Sequence, residues 1–116
     1  MELLFREAAY TDIRYFVMRY EEVWRSTYRD TGIWSEDFFL ENVHRGGNRL
    51  FDALYDAVGK QLSQKVVIGR KKIREDVYEA QFRIEDRRIF VIYFDDKLSN
   101  TRWVESVSIG RKPIIF

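Results

Sequence analysis

The chain has 116 residues, of which 46% are hydrophobic and 16% aromatic. It can therefore bury the core of one domain, and predominant disorder is excluded. Its 20 Lys and Arg nearly balance its 19 Asp and Glu, and a formal net charge of +1 does not by itself predict binding to a polyanion. The absence of cysteine excludes disulfides, thiolate zinc sites, Fe–S clusters and a cysteine nucleophile. We expect a single domain over residues 1–116, with no metal or other cofactor.

The N-terminal sequence MELLFREAAYTDIRY becomes charged too early for the apolar region of a secretory signal. No apolar run approaches the roughly 20 residues that are needed to cross a bilayer. Together with the lack of cysteine, these features predict a cytoplasmic protein with no membrane contact.

The first half of the chain, about residues 8–62, has a helical pattern. Before it, ELLF at 2–5 could form a short strand or an apolar tether. From about Ala8 onward, hydrophobic residues recur at spacings of three and four, which is typical of an amphipathic helix. The predicted buried stripe of this first helix consists of Ala9, Ile13, Phe16, Val17, Tyr20, Val23 and Trp24.

A second helical pattern covers residues 36 to about 62. Gly32 predicts the end of the first helix, and Ser35 is a predicted N-cap for the second. Gly46-Gly47 interrupts the second pattern, and each glycine costs roughly 1 kcal/mol in a helix interior. We therefore predict either a kink or a split into two helices, with Asn48 capping the latter one.

From about residue 64 to 115, the apolar pattern changes to a period of two, which indicates strands. Short links between consecutive strands predict a largely antiparallel sheet. Helices followed by strands indicate an α+β domain, with the helices packed on one face of a small, mostly antiparallel sheet of four or five strands. The predicted segments are a strand at 65–68, a basic loop at 69–76, strands at 77–85 and 89–94, a turn at 95–100, and a last strand at about 102–109 closed by Pro113.

Two adjacent predicted strands differ sharply in pattern. In 77–85 apolar and polar residues alternate, whereas 89–94 is apolar throughout. A strand with one solvated face alternates, and a strand that is covered on both faces need not. We therefore expect 77–85 at or near a sheet edge with one solvated face, and 89–94 in the centre with little exposed.

Two possible acid–base sites have simpler interpretations. His44 could act as a general base, but no nucleophile motif or second ligand accompanies it, which favours a solvent-facing helix residue. Asp95 and Asp96 could bind Mg²⁺ or share a proton, but they begin a predicted hairpin loop, where aspartate is common. Turn formation is therefore the favoured role of this pair.

Basic residues accumulate at four places in the sheet half. These places could meet in one groove that binds phosphates, with arginine planes or tyrosines stacking on unpaired bases. The favoured interpretation is an ordinary solvated face, because acidic residues lie among them at Glu75, Asp76, Glu79, Glu85 and Asp86. The basic residues are Arg70, Lys71, Lys72 and Arg74 in the predicted loop, Arg83 on the alternating strand, Arg87 and Arg88 at the joint, and Arg111 and Lys112 after the last strand.

Short motifs across most of the chain resemble the RelE/ParE toxin superfamily. The segment FREAAYTDIRYFV is similar to the start of the first helix in ParE-like members, and the family's β-α-α-β-β-β order agrees with the elements predicted above. The motifs of the sheet half are Lys71-Lys72, then Tyr78-Glu79 followed by Arg83, then Arg88 leading to Tyr93, and finally Ile109-Gly110-Arg111-Lys112.

The resemblance implies the toxin component of a bacterial or phage toxin–antitoxin system. For RelE-like members it implies metal-free cleavage of mRNA on the ribosome, with catalytic cations at Arg83, Arg88 and Arg111. Glu79 and Gln81 stand where the best-known RelE-like enzymes have lysines, so a non-catalytic ParE-like poison of DNA gyrase is the alternative. Supporting nucleic-acid contacts would come from Arg70, Lys71, Lys72, Arg74, Arg87 and Lys112.

The resemblance also implies a protein partner. In both branches of the family a cognate antitoxin wraps the toxin with a helix or an added strand, and a homodimer is a further expectation. Outside the family, the near-neutral net charge fits a protein-interaction module without toxic activity, such as an inhibitor or a phage accessory protein.

Overall fold

The computed structural model describes residues 1–29, 36–84 and 86–110, with side chains placed except at 24–29 and 36–43. Along the chain, two long helices follow the first strand and precede the remaining four. In chain order the elements are β1 (Glu2–Phe5), α1 (Glu7–Arg29), α2 (Glu36–Leu62), β2 (Lys71–Arg74), β3 (Val77–Ile84), β4 (Arg87–Asp96) and β5 (Thr101–Ile109). None of the described helices is both long and apolar enough to span a membrane.

The strands form one five-stranded sheet in the order β1-β5-β4-β3-β2. β1 pairs with β5 in parallel, and the other three pairings are antiparallel. The segment ELLF is thus a strand, and it adds the only parallel pairing to the described sheet. The predicted α+β class, with helices on one face of a mostly antiparallel sheet, is confirmed.

The core lies between the helices and one face of the sheet, which we call the helix face. Burial at helical spacing selects one stripe of each helix, and alternation selects every second strand residue. Each valine, leucine or isoleucine among them contributes about 1.5–3 kcal/mol when it is fully buried. The core residues are Ala9, Ile13 and Val17 of α1, Leu54, Val58 and Leu62 of α2, Val67, Ala80 of β3, Ile89, Val91 and Tyr93 of β4, and Val104 and Val107 of β5.

The helix ends agree with the sequence where they can be compared. α2 begins at Glu36, as predicted, whereas Gly32 and the predicted cap Ser35 lie outside the described residues. In α1 the predicted stripe is buried only toward its N-terminal half, since Val23 is largely exposed. The side chain of Trp24 lies outside the described part.

α2 is a single helix across Gly46-Gly47, so the predicted split with Asn48 as a cap is wrong. Gly47 is buried where α2 packs against α1, and a Cβ at this position would collide with the carboxylate of Glu21. The glycine leaves room for this carboxylate between the helices, and the tertiary packing of α2 outweighs a propensity cost of roughly 1 kcal/mol.

The segment 65–68 does not form the predicted strand. Only Val67 enters the core, while Val66 and Ile68 are exposed, and the carbonyl of Lys65 accepts a hydrogen bond from a side chain instead of a neighbouring strand. The strand begins later, because Lys71–Arg74 forms β2 within the predicted basic loop. The sequence placed this edge strand six residues too early.

β4 is the central strand and β3 lies one position from the edge, as the contrast between their patterns predicted. The prediction that 89–94 is little exposed is confirmed, since each of these residues is buried or half-buried. Phe90, Ile92 and Phe94 lie on the face away from the helices, and none of the described helices packs there. We call this second side of the sheet the open face.

Candidate functional site

The open face is defined by strand register. Residues that pair directly across a sheet lie on the same face, and the alternate residues belong to the core described above. The open face consists of Leu4 of β1, Lys71 and Arg74 of β2, Val77, Glu79, Gln81 and Arg83 of β3, Arg88, Phe90, Ile92 and Phe94 of β4, and Trp103, Ser106 and Ser108 of β5, with Glu2, Asp96 and Thr101 in its outermost row.

Arg83 and Arg88 lie directly opposite each other across β3 and β4. Both are exposed, and neither makes an ion pair with any residue that the structure describes. Two like charges directly opposite each other destabilise an antiparallel pair. A juxtaposition that costs stability, with both guanidinium groups free, is the arrangement expected where an anion binds between them.

Two more cations border the same face. Lys71 pairs with Glu79 in register, and Arg74 pairs with Val77, which places both basic residues on the open side of the edge strand β2. Within the described ranges neither forms an ion pair. We call these four residues, Lys71, Arg74, Arg83 and Arg88, the open-face cations.

Acidic groups on this face are few and mostly distant from the arginine pair. Glu79 is itself buried between neighbouring strands. Asp96 and Glu2 lie in the outermost row, at the opposite end of β4 from Arg88, and Glu105 pairs with Arg6 at 3.3 Å. The open face is therefore cationic along the β2 edge and at the β3–β4 hairpin.

Three other predicted basic residues within the described ranges do not join this group. The Arg70 guanidinium lies 4.2 Å from the centre of the Tyr78 ring, and Lys72, which pairs with Tyr78, contacts Glu75 at 3.3 Å. Arg87 pairs with Ile84 toward the helix face and lies over the Phe16 ring. The sheet's alternation separates neighbours in sequence onto opposite faces, so the basic residues that the structure describes do not all lie in one groove. Arg111 and Lys112 lie outside the described residues.

The aromatic residues of the open face are not the tyrosines that the sequence suggested. Tyr78 and Tyr93 stack on each other on the helix face, 5.4 Å apart. Phe94 and Trp103 pair across β4 and β5 on the open face, and the Arg6 guanidinium lies 4.0 Å from the centre of the indole ring. Because successive residues of a strand point to opposite faces, Phe94 could have been assigned to the face away from Tyr93 once Tyr93 was assigned to the core.

The helix face contains a buried ion pair that was not predicted from the sequence. Arg102 is 2% exposed, and its guanidinium binds both carboxylate oxygens of Asp95 at 2.7 and 3.1 Å. Its remaining N–H groups donate to the carbonyls of Leu62 and Gln64 at 2.7 Å and of Lys65 at 3.1 Å. All five donors are thus satisfied. The side chain fastens the C-terminal end of α2, where carbonyls lack helical partners, to the sheet.

This pair corrects the role that was assigned to Asp95. The residue lies in β4, not in the turn, and only Asp96 has turn geometry, with its Oδ1 accepting from the amides of Leu98 and Ser99. Asp95 and Arg102 are paired across the β4–β5 hairpin. That register was the signal available in the sequence, but the four-residue turn had to be placed correctly to see it.

Tyr93 lies beneath the same ion pair. The Arg102 guanidinium is 4.9 Å from the centre of its ring. Burial raises the pKa of the Tyr93 hydroxyl, and the nearby Arg70 and Arg102 offset part of this effect. Among the described residues no group meets hydrogen-bond geometry with the hydroxyl. Arg70, Tyr78, Tyr93 and Arg102 therefore form one stack, which holds the segment after α2 on the sheet.

His44 takes no part in either face of the sheet. It is exposed on α2, and its Nδ1 lies 3.5 Å from Oε2 of Glu21 on α1. The favoured interpretation as a surface helix residue agrees with this position. In the described part of the chain, no three His, Asp or Glu side chains converge as a metal site would require.

Comparison with protein-family models, curated protein sequences and solved structures gave no match.

Proposed function

We propose that this chain is a RelE/ParE-like toxin of a toxin–antitoxin system, acting in the cytoplasm as a metal-free ribonuclease on mRNA at the ribosome. One observation carries the proposal: Arg83 and Arg88 lie side by side on the open face, without ion-pair partners in the described structure. The same two residues belong to the motifs that resemble the family.

The chemistry of the arginine pair suits an RNA phosphodiester. Guanidinium groups bind phosphate oxygens with two parallel hydrogen bonds. Cleavage adds negative charge to the non-bridging oxygens in the transition state, and preorganised cations at that position stabilise it. Lys71 and Arg74 supply further charge along the β2 edge, where they can bind neighbouring phosphates. Cations at several positions on one face support a backbone of repeated charges better than a single small anion.

The helical layer supports the proposed antitoxin partner. α1 exposes Tyr15, Met18 and Val23, each by more than half of its surface. These residues lie on the side of the molecule away from the sheet's open face. An antitoxin that binds only these residues would leave the open-face cations accessible. An antitoxin that neutralises the toxin by competing with RNA must also reach the open-face cations.

Induced expression of the chain alone tests the proposal. We expect growth arrest, with new 5′ ends within translated mRNA detected by primer extension, and rescue by co-expression of the neighbouring small gene. Arg83→Gln/Arg88→Gln should abolish cleavage while the folded protein accumulates. Arg49→Gln, which removes an exposed arginine from α2, is the matched control and should behave like the wild type.

Two results would contradict the ribonuclease. Arrest with intact mRNA and inhibited DNA supercoiling would favour a gyrase poison. Normal growth on induction, with equal amounts of folded protein, would remove the toxin proposal and leave a non-toxic interaction module.

A further inference from the structure

Phe94 and Trp103 form a pair of aromatic side chains on adjacent inner strands of the open face. They are direct partners in register across β4 and β5, and both are only partly buried. The two helices pack on the other side of the sheet. A largely antiparallel sheet with helices behind it and aromatic side chains on neighbouring strands is one of the surfaces on which proteins stack unpaired RNA bases.

The charges around this pair favour a nucleic acid over an apolar peptide. The cross-strand row that contains Phe94 and Trp103 begins with Arg74 on the edge strand. At its other side, Arg6 lies over the indole. A peptide with apolar side chains would gain nothing from cations at both ends of the row, whereas a phosphate backbone would.

The distance to the arginine pair matches an extended strand of nucleotides. Arg88 and Phe94 lie six residues apart on β4 and point to the same face, which corresponds to about 20 Å along the strand. Phosphate contacts at one end and base contacts at the other therefore require several consecutive nucleotides. They also require bases whose flat faces are free, which a double helix does not offer.

We propose that Phe94 and Trp103 are a stacking platform for unpaired bases, and that the open face binds single-stranded RNA along β4. This inference rests on the proposed function, because it names the form of RNA that the open-face cations would engage. Arg6 belongs to the platform: its guanidinium covers the indole at 4.0 Å from the ring centre, and its Nε donates to Glu105 at 3.3 Å, so the platform includes a guanidinium on which a base can stack.

The experiment measures the affinity of the purified full chain for two fluorescein-labelled octanucleotides by anisotropy. One is oligoadenylate RNA, and the other is an abasic strand with the same number of phosphates. Trp103→Leu and Phe94→Leu should each weaken binding of oligoadenylate between about 5-fold and about 100-fold, since one base–aromatic stack is lost. Neither variant should change binding of the abasic strand by more than about twofold.

Three controls separate stacking from altered folding. Trp103→Phe keeps a ring and should recover most of the affinity lost in Trp103→Leu. Tyr15→Leu removes an exposed aromatic side chain from α1 and should have no effect. The wild type should bind an RNA duplex of the same length more weakly than oligoadenylate. The affinity for this duplex should be the same in the wild type and in Trp103→Leu.

The outcomes distinguish the two proposals. If oligoadenylate binds the wild type and both leucine variants equally, the platform is wrong and RNA binding stands. If the leucine variants lose both octanucleotides in parallel, the rings act through the fold and the platform is again wrong. If the wild type binds neither octanucleotide, RNA binding fails, and the proposed platform fails with it.

Discussion

The two faces of this sheet use the same kinds of residue in opposite ways. On the helix face, Arg102 is buried and fully hydrogen-bonded with Asp95 and three carbonyls. On the open face, Arg83 and Arg88 lie opposite each other, and neither forms an ion pair with a described residue. In the first arrangement the buried charge has all its partners within the fold, whereas the second costs stability and is the one that we propose binds a ligand. The difference shows that arginines of one sheet can have very different surroundings, so the partners of an arginine are a better guide to its proposed role than its presence in the sequence.

The largest effect should follow from breaking the buried pair. Asp95→Ala leaves the Arg102 charge buried without its carboxylate, and we expect the free energy of unfolding to fall by about 3–5 kcal/mol. Urea denaturation followed by circular dichroism measures it. Asp96→Ala removes only the neighbouring turn aspartate and should cost about 1 kcal/mol or less. Equal losses in the two variants would show that the buried pair has no special role.

On the open face, removal of charge is expected to increase stability instead of lowering it. Arg83→Gln/Arg88→Gln removes a like-charge pair, so the free energy of unfolding should rise by about 0.2–1 kcal/mol. The same double variant should bind oligoadenylate at least about 10-fold more weakly, because two charge-assisted contacts are lost. A loss of stability together with a loss of binding would mean that these arginines serve the fold, as Arg102 does.

A smaller effect sharpens the comparison within the open face. Glu79 is the carboxylate in register with Lys71 on this face, and its charge opposes an approaching phosphate. Glu79→Gln should therefore raise the affinity for oligoadenylate by about two- to fivefold at low salt. Asp52→Asn, an exposed change on α2, provides the control. Unchanged or weaker binding by the Glu79 variant would contradict a phosphate path across β3.

The smallest effect concerns the buried hydroxyl on the helix face. Because burial raises the pKa of Tyr93 above 10, the unfolded state loses this proton first as pH rises, and stability should fall above about pH 10. Tyr93→Phe removes that contribution, so its stability should fall less steeply between pH 9 and about pH 11. Thermal unfolding of both proteins measures this difference. If stability falls equally with pH in the wild type and in Tyr93→Phe, Tyr93 does not contribute to the pH dependence.

Much of the fold could be predicted from local pattern. Alternation in 77–85 and continuous apolarity in 89–94 placed β3 near an edge and β4 in the centre, because solvation of a strand's faces leaves a direct trace in its sequence. The strand at 65–68 failed because exposure of Val66 and Ile68 depends on the end of α2, which no local pattern reveals. The predicted split of the second helix at Gly46-Gly47 is wrong for a similar reason, since Glu21, the neighbour of Gly47, lies on another helix.

The candidate site could be predicted only in part. Arg83 and Arg88 flank a hairpin, so their proximity follows from local pairing. Arg70, Lys72 and Arg87 were assigned to the same groove because their neighbours in sequence are there, and alternation together with a bulge in β2 places them elsewhere. Phe94 and Trp103 were missed because a hydrophobic strand residue carries no sign of which face it occupies until the core is assigned.

The salt dependence of RNA binding tests the central claim most directly. For single strands, each phosphate contact adds about 0.7 to the slope of log affinity against log salt concentration. Arg83→Gln/Arg88→Gln should therefore lower the magnitude of that slope by about 1.4 for oligoadenylate, while Arg49→Gln leaves it unchanged. Identical slopes for the wild type and the double variant would show that the arginine pair on the open face does not contact the RNA backbone.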